Sequence, residues 1–184
     1  DVQRTWRYYD LPYGRPTVPI ALNEAIERVH DAVATAVKRQ MVADVPVGAF
    51  LSGGLDSSSV VAFASRESSR PMDCFTIGFR DDAMQKEGFA DDLGYARRVA
   101  AALNVRLHVV EAGSEMVGEL ETMLWHLDEP QADLAPINAL LICRLARETG
   151  LKVLLSGAGG DDIFTGYRRH LAIAREPMWA WLPG

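Results

Sequence analysis

The sequence has few cysteines, no excess of basic residues and no long apolar run, and each shortage excludes a class of protein. Its two cysteines, Cys74 and Cys143, stand in apolar stretches without zinc or redox spacing, so we expect two reduced core thiols. A net charge of −6 argues against a broad grip on nucleic acid. No apolar run approaches the roughly 18 residues of a membrane span. These shortages favour a cytoplasmic protein that binds neither nucleic acid nor membrane.

The 184 residues are enough for one domain with a sizeable core. Residues 1–20 combine four aromatic side chains with three prolines, which predicts an extended linker. The start at Asp1 is neither a signal peptide nor an initiator Met. We therefore expect a piece of a longer protein, with a linker over 1–20 and a folded domain over 21–184.

Apolar runs alternate with segments of helical periodicity along the chain, and this pattern predicts an α/β fold. The predicted strands cover residues 46–51, 74–79, 106–111 and 152–156. The predicted helices cover residues 20–42, 57–68, 91–103, 114–126 and 137–149, with Trp125 and the methionines of 114–126 facing the core. Such alternation predicts a doubly wound, Rossmann-like parallel sheet with helices on both faces. A ligand should then bind at the carboxyl ends of the strands.

A glycine turn joins the first predicted strand to the next helix, in the order Ser52-Gly53-Gly54-Leu55-Asp56-Ser57-Ser58. Glycines let the backbone approach an anion closely, and the helix start adds free N–H groups and a positive dipole end. A carboxylate at Asp56 would repel a bound phosphate unless a cation such as Mg²⁺ stands between them. The spacing fits neither the usual NTPase loop nor the dinucleotide-binding fingerprint.

A second glycine turn, Ser156-Gly157-Ala158-Gly159-Gly160-Asp161-Asp162, follows the fourth predicted strand. Because both turns follow parallel strands, they should meet at the same edge of the sheet. Asp161 is therefore a candidate partner of Asp56, although capping of a helix near Ile163 is an alternative role for it.

The first turn matches the Ser-Gly-Gly-x-Asp-Ser loop of the N-type ATP pyrophosphatases. Together with other stretches, it resembles the synthetase domain of glutamine-dependent asparagine synthetases over roughly residues 6–170. The stretches that carry the resemblance, besides the first turn, are residues 45–51, 75–79, 128–130 and 156–168.

The resemblance implies that the domain binds ATP and Mg²⁺, adenylates a carboxylate such as that of aspartate, and releases pyrophosphate. Ammonia from a glutaminase domain of the same parent chain would then displace AMP to form an amide. The implied nucleotide and pyrophosphate ligands are Phe50, Ser52, Gly53, Gly54, Asp56, Ser57, Ser58, Ile77, Gly78, Ser156 and Gly157. Asp56 and Asp161 would bind the metal, and Asp128, Glu129 and Asp133 would line the pocket for the carboxylate.

Two departures from the family pattern leave the substrate open. Asparagine synthetases commonly carry an acid where this chain has Ala158, and the family's Asp-Glu pair is Asp161-Asp162 here. The alternatives are a related carboxylate-adenylating cyclase or an amidotransferase for a secondary-metabolite or cell-surface substrate, and a non-catalytic nucleotide-binding module. The fragment alone is expected to be inactive, since the glutaminase domain and a later helical region are not in it. The oligomeric state is also open, with a homodimer as one candidate.

Overall fold

The structure is a computed structural model, and it describes residues 3–10, 18–80, 92–129, 131, 133 and 135–178. The described strands are β1 (Val47–Phe50), β2 (Asp73–Phe79), β3 (Arg106–Ala112) and β4 (Val153–Leu155). The described α-helices are α1 (Leu22–Gln40), α2 (Leu55–Glu67), α3 (Leu93–Leu103), α4 (Leu120–Leu127), α5 (Ala135–Glu148), α6 (Gly160–Ile163) and α7 (Arg168–Arg175). Two 3₁₀ segments, Ser114–Glu119 and Glu176–Met178, precede α4 and follow α7.

The four strands form one parallel sheet in the order β3-β2-β1-β4. The chain steps outwards from β1 through β2 to β3, and it then returns to place β4 on the other side of β1. The strand order therefore reverses between β1 and β4, and a crevice opens at the carboxyl ends of these two strands. The loops that leave them are the two glycine turns.

Helices cover both faces of the sheet, as the sequence predicts. On one face, α1, α2 and α3 bury side chains such as Val37, Val61 and Ala100 against β1 and β2. On the other face, α5 packs Ile142 and Ala146 against Phe75. Full burial of a side chain as large as Phe75 stabilises the fold by about 1.5–3 kcal/mol. Packing of this kind on both faces fixes the position of the strands from which the glycine turns leave.

Strand β1 is short and central, and its glycine allows close packing of the second face. A Cβ at Gly48 would lie 2.6 Å from Cδ2 of Leu151 and 2.8 Å from the carbonyl oxygen of Asp73. Both distances are below normal contact, so a larger residue would push β1 away from its neighbours.

Three expectations from the sequence are wrong in detail. The predicted helix over 114–126 is a 3₁₀ segment followed by α4, and Gly118 lies within the 3₁₀ part, where it weakens α-helix formation. Cys143 is exposed, and Trp125 is 81% exposed. Cys143 comes directly after the buried Ile142, and Trp125 comes two residues after the buried Met123. A step of one or two residues along a helix turns the side chain to another face. Cys74 is buried as expected.

None of the helices in the described part of the chain is long and apolar enough to cross a membrane.

Candidate functional site

The first glycine turn connects β1 to α2 and is shaped by a glycine with a left-handed backbone. Gly53 has φ of +85°, and a Cβ there would lie 2.5 Å from the backbone nitrogen of Ala96. Gly54 is the N-cap residue of α2, and no side chain caps the helix. The first N–H groups of an α-helix have no acceptor within the helix. The turn thus presents backbone donors and the positive end of the dipole of α2 to the sheet edge.

Serine hydroxyls hold this turn together from within. The Oγ atoms of Ser52 and Ser57 are 2.9 Å apart, and the backbone N–H of Gly54 donates to Ser52 Oγ at 3.3 Å. The Ser57 hydroxyl also donates to the carbonyl of Gly54 at 3.3 Å, and Ser57 is buried. These two hydroxyls, expected from the sequence to face an anion, are therefore engaged in ordering the loop.

The second glycine turn contains the same kind of hydrogen bond as the first. The backbone N–H of Ala158 donates to Ser156 Oγ at 3.1 Å, as Gly54 does to Ser52 two residues earlier in its own turn. Gly159 then adopts φ of +91° and is the N-cap residue of the single turn α6. Because α6 begins at Gly160, Asp161 lies inside its first turn and is not its N-cap residue.

The two turns pack directly on each other. A Cβ at Gly157 would lie 2.6 Å from the backbone nitrogen of Ser57 and 2.7 Å from the backbone carbon of Asp56. The Asp56 carboxylate lies against Gly160, and the Asp161 carboxylate lies against Gly166. The second turn therefore touches the start of α2 with its backbone, and its Gly160 borders the Asp56 carboxylate.

A cavity of about 690 Å³ opens between these turns. Its lining consists of Phe50, Ser52, Gly54, Leu55, Asp56, Ser57, Ala139, Ser156, Gly157, Ala158, Gly160, Asp161, Phe164 and Gly166. Eight of the residues named from the sequence are in this set, namely Phe50, Ser52, Gly54, Asp56, Ser57, Ser156, Gly157 and Asp161. The structure thus brings most of the candidate nucleotide ligands, and both candidate metal ligands, to one cavity.

Four of the candidate nucleotide ligands lie outside that lining. Gly53 turns away to pack on α3, and the Ser58 hydroxyl is buried without a hydrogen-bond partner among the described residues. Ile77 packs into the apolar core, and a Cβ at Gly78 would lie 2.9 Å from Cδ2 of Leu93. The roles of these residues as nucleotide ligands stay predictions.

The acidic loop before α5 is not part of the cavity. Asp128 and Glu129 line a separate depression of about 350 Å³ with Leu124 and Trp125. Asp133 accepts a hydrogen bond from the backbone N–H of Ala135 at 2.9 Å and so stabilises the start of α5. The structure does not bring these three acids to the glycine turns, and their role in binding a carboxylate substrate stays a prediction.

Six lining residues were not named as ligands from the sequence: Leu55, Ala139, Ala158, Gly160, Phe164 and Gly166. Five of them stand within or just after the two glycine turns, so their position in the sequence could have indicated that they line the cavity. Ala139 had no such signal, because its place depends on how α5 packs across the sheet.

The two acids of the cavity are suited to an oxygen-binding cation. Neither Asp56 nor Asp161 forms an ion pair with a described Lys or Arg, whereas Asp162 pairs with Arg169 at 2.8 Å. The described residues contain no group of three or more His, Cys, Asp or Glu that could enclose a metal. Mg²⁺ at a phosphate site commonly takes only one or two carboxylates, with phosphates and water completing its shell. Two unpaired acids in one cavity fit that requirement.

Comparisons with known proteins find related sequences for most of the chain. The sequence profile of the asparagine synthase family matches residues 28–183. The chain is 36% identical to asparagine synthetase [glutamine-hydrolyzing] 1 of Bacillus subtilis, over 85% of this chain and 23% of that protein. It is 34% identical to the amidase chyE of Penicillium rubens, over 95% of this chain and 28% of that protein. The chain thus spans about a quarter of the length of these curated relatives.

The fold also recurs in a solved structure. The chain resembles a glutamine-dependent NAD⁺ synthetase from Acinetobacter baumannii, in complex with ADP, with a TM-score of 0.51. The sequence identity is 16%, and the match covers 85% of this chain and 30% of the other. At this identity, the likeness supports the Rossmann-like α/β fold.

Proposed function

Because the chain belongs to the asparagine synthase family, we propose that it is the ATP-using part of an amide-forming ligase. In this proposal the cavity between the glycine turns binds ATP, and a carboxylate oxygen attacks the α-phosphorus while pyrophosphate leaves. Ammonia then attacks the carbonyl carbon of the acyl adenylate and displaces AMP. The observation that carries the proposal is the meeting of Asp56 and Asp161 with the free start of α2 in one cavity.

The first turn would hold the pyrophosphate portion of ATP. The first N–H groups of α2 are unpaired within the helix and lie at its positive end, which suits a polyanion. The hydrogen bonds among Ser52, Gly54 and Ser57 set this loop before any ligand arrives. Such preorganised donors stabilise charge that develops on a leaving pyrophosphate without the cost of reorienting them.

Asp56 and Asp161 would hold a Mg²⁺ ion, which supplies charge neutralisation between the phosphates and the carboxylates. The two residues come from different turns, so the contact of Gly157 with the start of α2 decides their spacing. Displacement at phosphorus depends chiefly on positioning and charge neutralisation. The rigid packing of the two turns is therefore the main contribution of this part of the chain.

The ammonia source belongs to the proposal as well. We infer a glutaminase domain in the full-length protein, supported by the glutamine-hydrolyzing name of the Bacillus subtilis relative. Incubation of the full-length protein with ATP, an acceptor carboxylate and [amide-¹⁵N]glutamine should place ¹⁵N in the amide product. An amide product that takes its nitrogen from added ammonium but not from glutamine would contradict the glutaminase assignment.

A second candidate keeps the adenylation but changes the acceptor. Ala158 lines the cavity with a methyl group, where the family commonly places an acid, and one relative is named an amidase. An amidotransferase or cyclase that acts on a carboxylate other than aspartate would fit both observations. Product analysis with aspartate, glutamine and ATP separates the candidates, because asparagine formed at a high rate favours the first.

The decisive test of adenylation uses Asp56→Asn in the full-length protein. We expect ATP-dependent pyrophosphate release to fall at least ~100-fold, because the amide is a poorer metal ligand and bears no charge. Asp162→Asn is the matched control, since its carboxylate is exposed and paired with Arg169 outside the cavity lining, and we expect it to stay within ~3-fold. If Asp56→Asn released pyrophosphate at the wild-type rate, Asp56 would not be a metal ligand. A wild-type protein that binds ATP but releases no pyrophosphate would favour the non-catalytic module.

A further inference from the structure

Four of the residues that line the cavity are apolar and open to solvent. Leu55 is 83% exposed and Phe164 is 54% exposed, and both line the cavity. Ala139 of α5 and Ala158 of the second turn are also exposed lining residues, and we name these four residues the apolar wall. Exposed apolar groups gathered in a concave site are typical of a surface that a ligand covers.

The charged groups of the cavity are all of one sign. Among the described lining residues, the ionisable side chains are Asp56 and Asp161, and no Lys, Arg or His is present. The basic residues that follow the second turn do not compensate. Arg169 is paired with Asp162 at 2.8 Å and lies over the Tyr167 ring at 3.9 Å, and Arg168 does not line the cavity.

This distribution bears on the part of the substrate that does not react. Aspartate would bring a second carboxylate and an ammonium group beside its reacting carboxylate. The second carboxylate would lose water against the apolar wall without gaining a cation from the described lining residues, and burial of an unpaired charge is costly. An uncharged hydrocarbon body would instead cover Leu55 and Phe164 and remove their apolar surface from water, which is favourable.

We propose that the apolar wall of Leu55, Ala139, Ala158 and Phe164 selects a carboxylate whose non-reacting part is uncharged and largely apolar. The inference rests on the proposed function, because it assigns the acceptor of the same adenylation reaction. Ala158 is central to it, since this methyl group lies between the second-turn backbone and the cavity. Its N–H is held by Ser156, so the backbone of the wall is ordered at that point.

The test measures carboxylate-dependent pyrophosphate release by the full-length protein with saturating ATP and Mg²⁺. The acceptors are hexanoate and phenylacetate, which have uncharged bodies, and aspartate and glutamate, which do not. We expect kcat/KM for the better of the first pair to exceed that of either amino acid at least ~10-fold, as the penalty for an unpaired charge predicts. A higher value for aspartate or glutamate overturns the inference and leaves the proposed function intact.

Two variants locate the effect. Ala158→Glu should lower kcat/KM for the uncharged acceptors at least ~10-fold while the KM for ATP stays within ~3-fold, because it places a charge in the wall. Ala101→Glu is the matched control, since it adds the same side chain at an exposed position of α3 outside the cavity lining, and it should stay within ~3-fold for both substrates. An equal response of the two variants overturns the assignment of the wall.

Calorimetry separates failure of this inference from failure of the proposed function. ATP–Mg²⁺ binding heat together with pyrophosphate release on aspartate or glutamate alone overturns the acceptor assignment and leaves the proposed function intact. Absence of both binding heat and release overturns the proposed function, and the acceptor assignment falls with it.

Discussion

Asp73 forms a side-chain network with Arg106 and His108 outside the cavity. It lies at the start of β2, and its carboxylate accepts two hydrogen bonds from the Arg106 guanidinium at 2.8 and 2.7 Å. Nε2 of His108 lies 2.8 Å from the same carboxylate, and the His108 ring stacks on Phe75 at 4.8 Å. The Arg106 hydrogen bonds outweigh burial and, with His108, lower the pKa of Asp73 to about 2. The network fastens β2 to β3 at the edge opposite the glycine turns.

The lowered pKa of Asp73 predicts a pH-dependent contribution to stability. A carboxylate with a lowered pKa stabilises the fold above its ordinary pKa near 3.8, and the contribution is lost as pH falls towards about 2. We expect Asp73→Asn to reduce the free energy of unfolding by about 1 kcal/mol at pH 7, because the pair is partly solvated. Urea unfolding of both proteins from pH 7 to pH 2 should show the difference shrinking below about pH 4.

Asp162→Asn is the control for this series, because its ion pair with Arg169 is more than half exposed on both sides. We expect it to change the free energy of unfolding by less than about 0.5 kcal/mol at any pH. A difference between Asp73→Asn and wild type that is constant from pH 7 to pH 2 would contradict the assignment of the charge to Asp73.

At the scale of elements, the candidate site depends on two turns that touch through a glycine. Gly157→Ala would place a methyl group 2.6 Å from the backbone nitrogen of Ser57, where no flexible side chain can yield. We expect the KM for ATP to rise at least ~10-fold and the free energy of unfolding to fall by about 1–3 kcal/mol. Pyrophosphate release at varied ATP and urea unfolding measure the two effects.

Gly118→Ala is the matched control, because a Cβ at Gly118 meets no atom within 4 Å. It should leave the KM for ATP unchanged. If Gly157→Ala also left this KM unchanged, contact between the turns would not determine the position of the phosphate loop.

Most elements could be predicted from the sequence because their patterns are local. The four strands and the helices α1, α2, α3 and α5 lie within a few residues of their predicted ranges. The first predicted turn begins α2 at Leu55, where the glycines and small residues indicated a helix start. The segment Ser114–Glu119 differs because its apolar spacing does not separate α- from 3₁₀-helix, and Gly118 disfavours the α-helix.

At the scale of the whole molecule, the two thiols differ in access to solvent and should report its unfolding. Burial raises the pKa of Cys74 to about 12, with the Asp73 charge adding to the effect. Cys143 is exposed, and partial desolvation by its neighbours raises the pKa of its thiol. We expect iodoacetamide at pH 8 to label Cys143 in the native protein, slowly because the thiol is mostly protonated. Cys74 should be labelled only when the fold opens, since β2 is covered on both faces.

Peptide mapping by mass spectrometry assigns each label, and a urea series provides the control. Labelling of Cys74 should rise together with the loss of secondary structure. Fast labelling of Cys74 in the absence of urea would show that the layer of α2 and α3 over β2 opens independently of the rest of the fold.

The sequence by itself determined the strand–helix alternation, the two glycine turns and the candidate acids, because these depend on local pattern and composition. It also placed both turns on one edge, since parallel strands share a direction. Only the tertiary structure decided that Gly157 packs on the start of α2, and that Ala139 of α5 joins the cavity while Asp128 and Glu129 do not. These outcomes depend on how helices far apart in the chain pack across the sheet, and no local pattern encodes that packing.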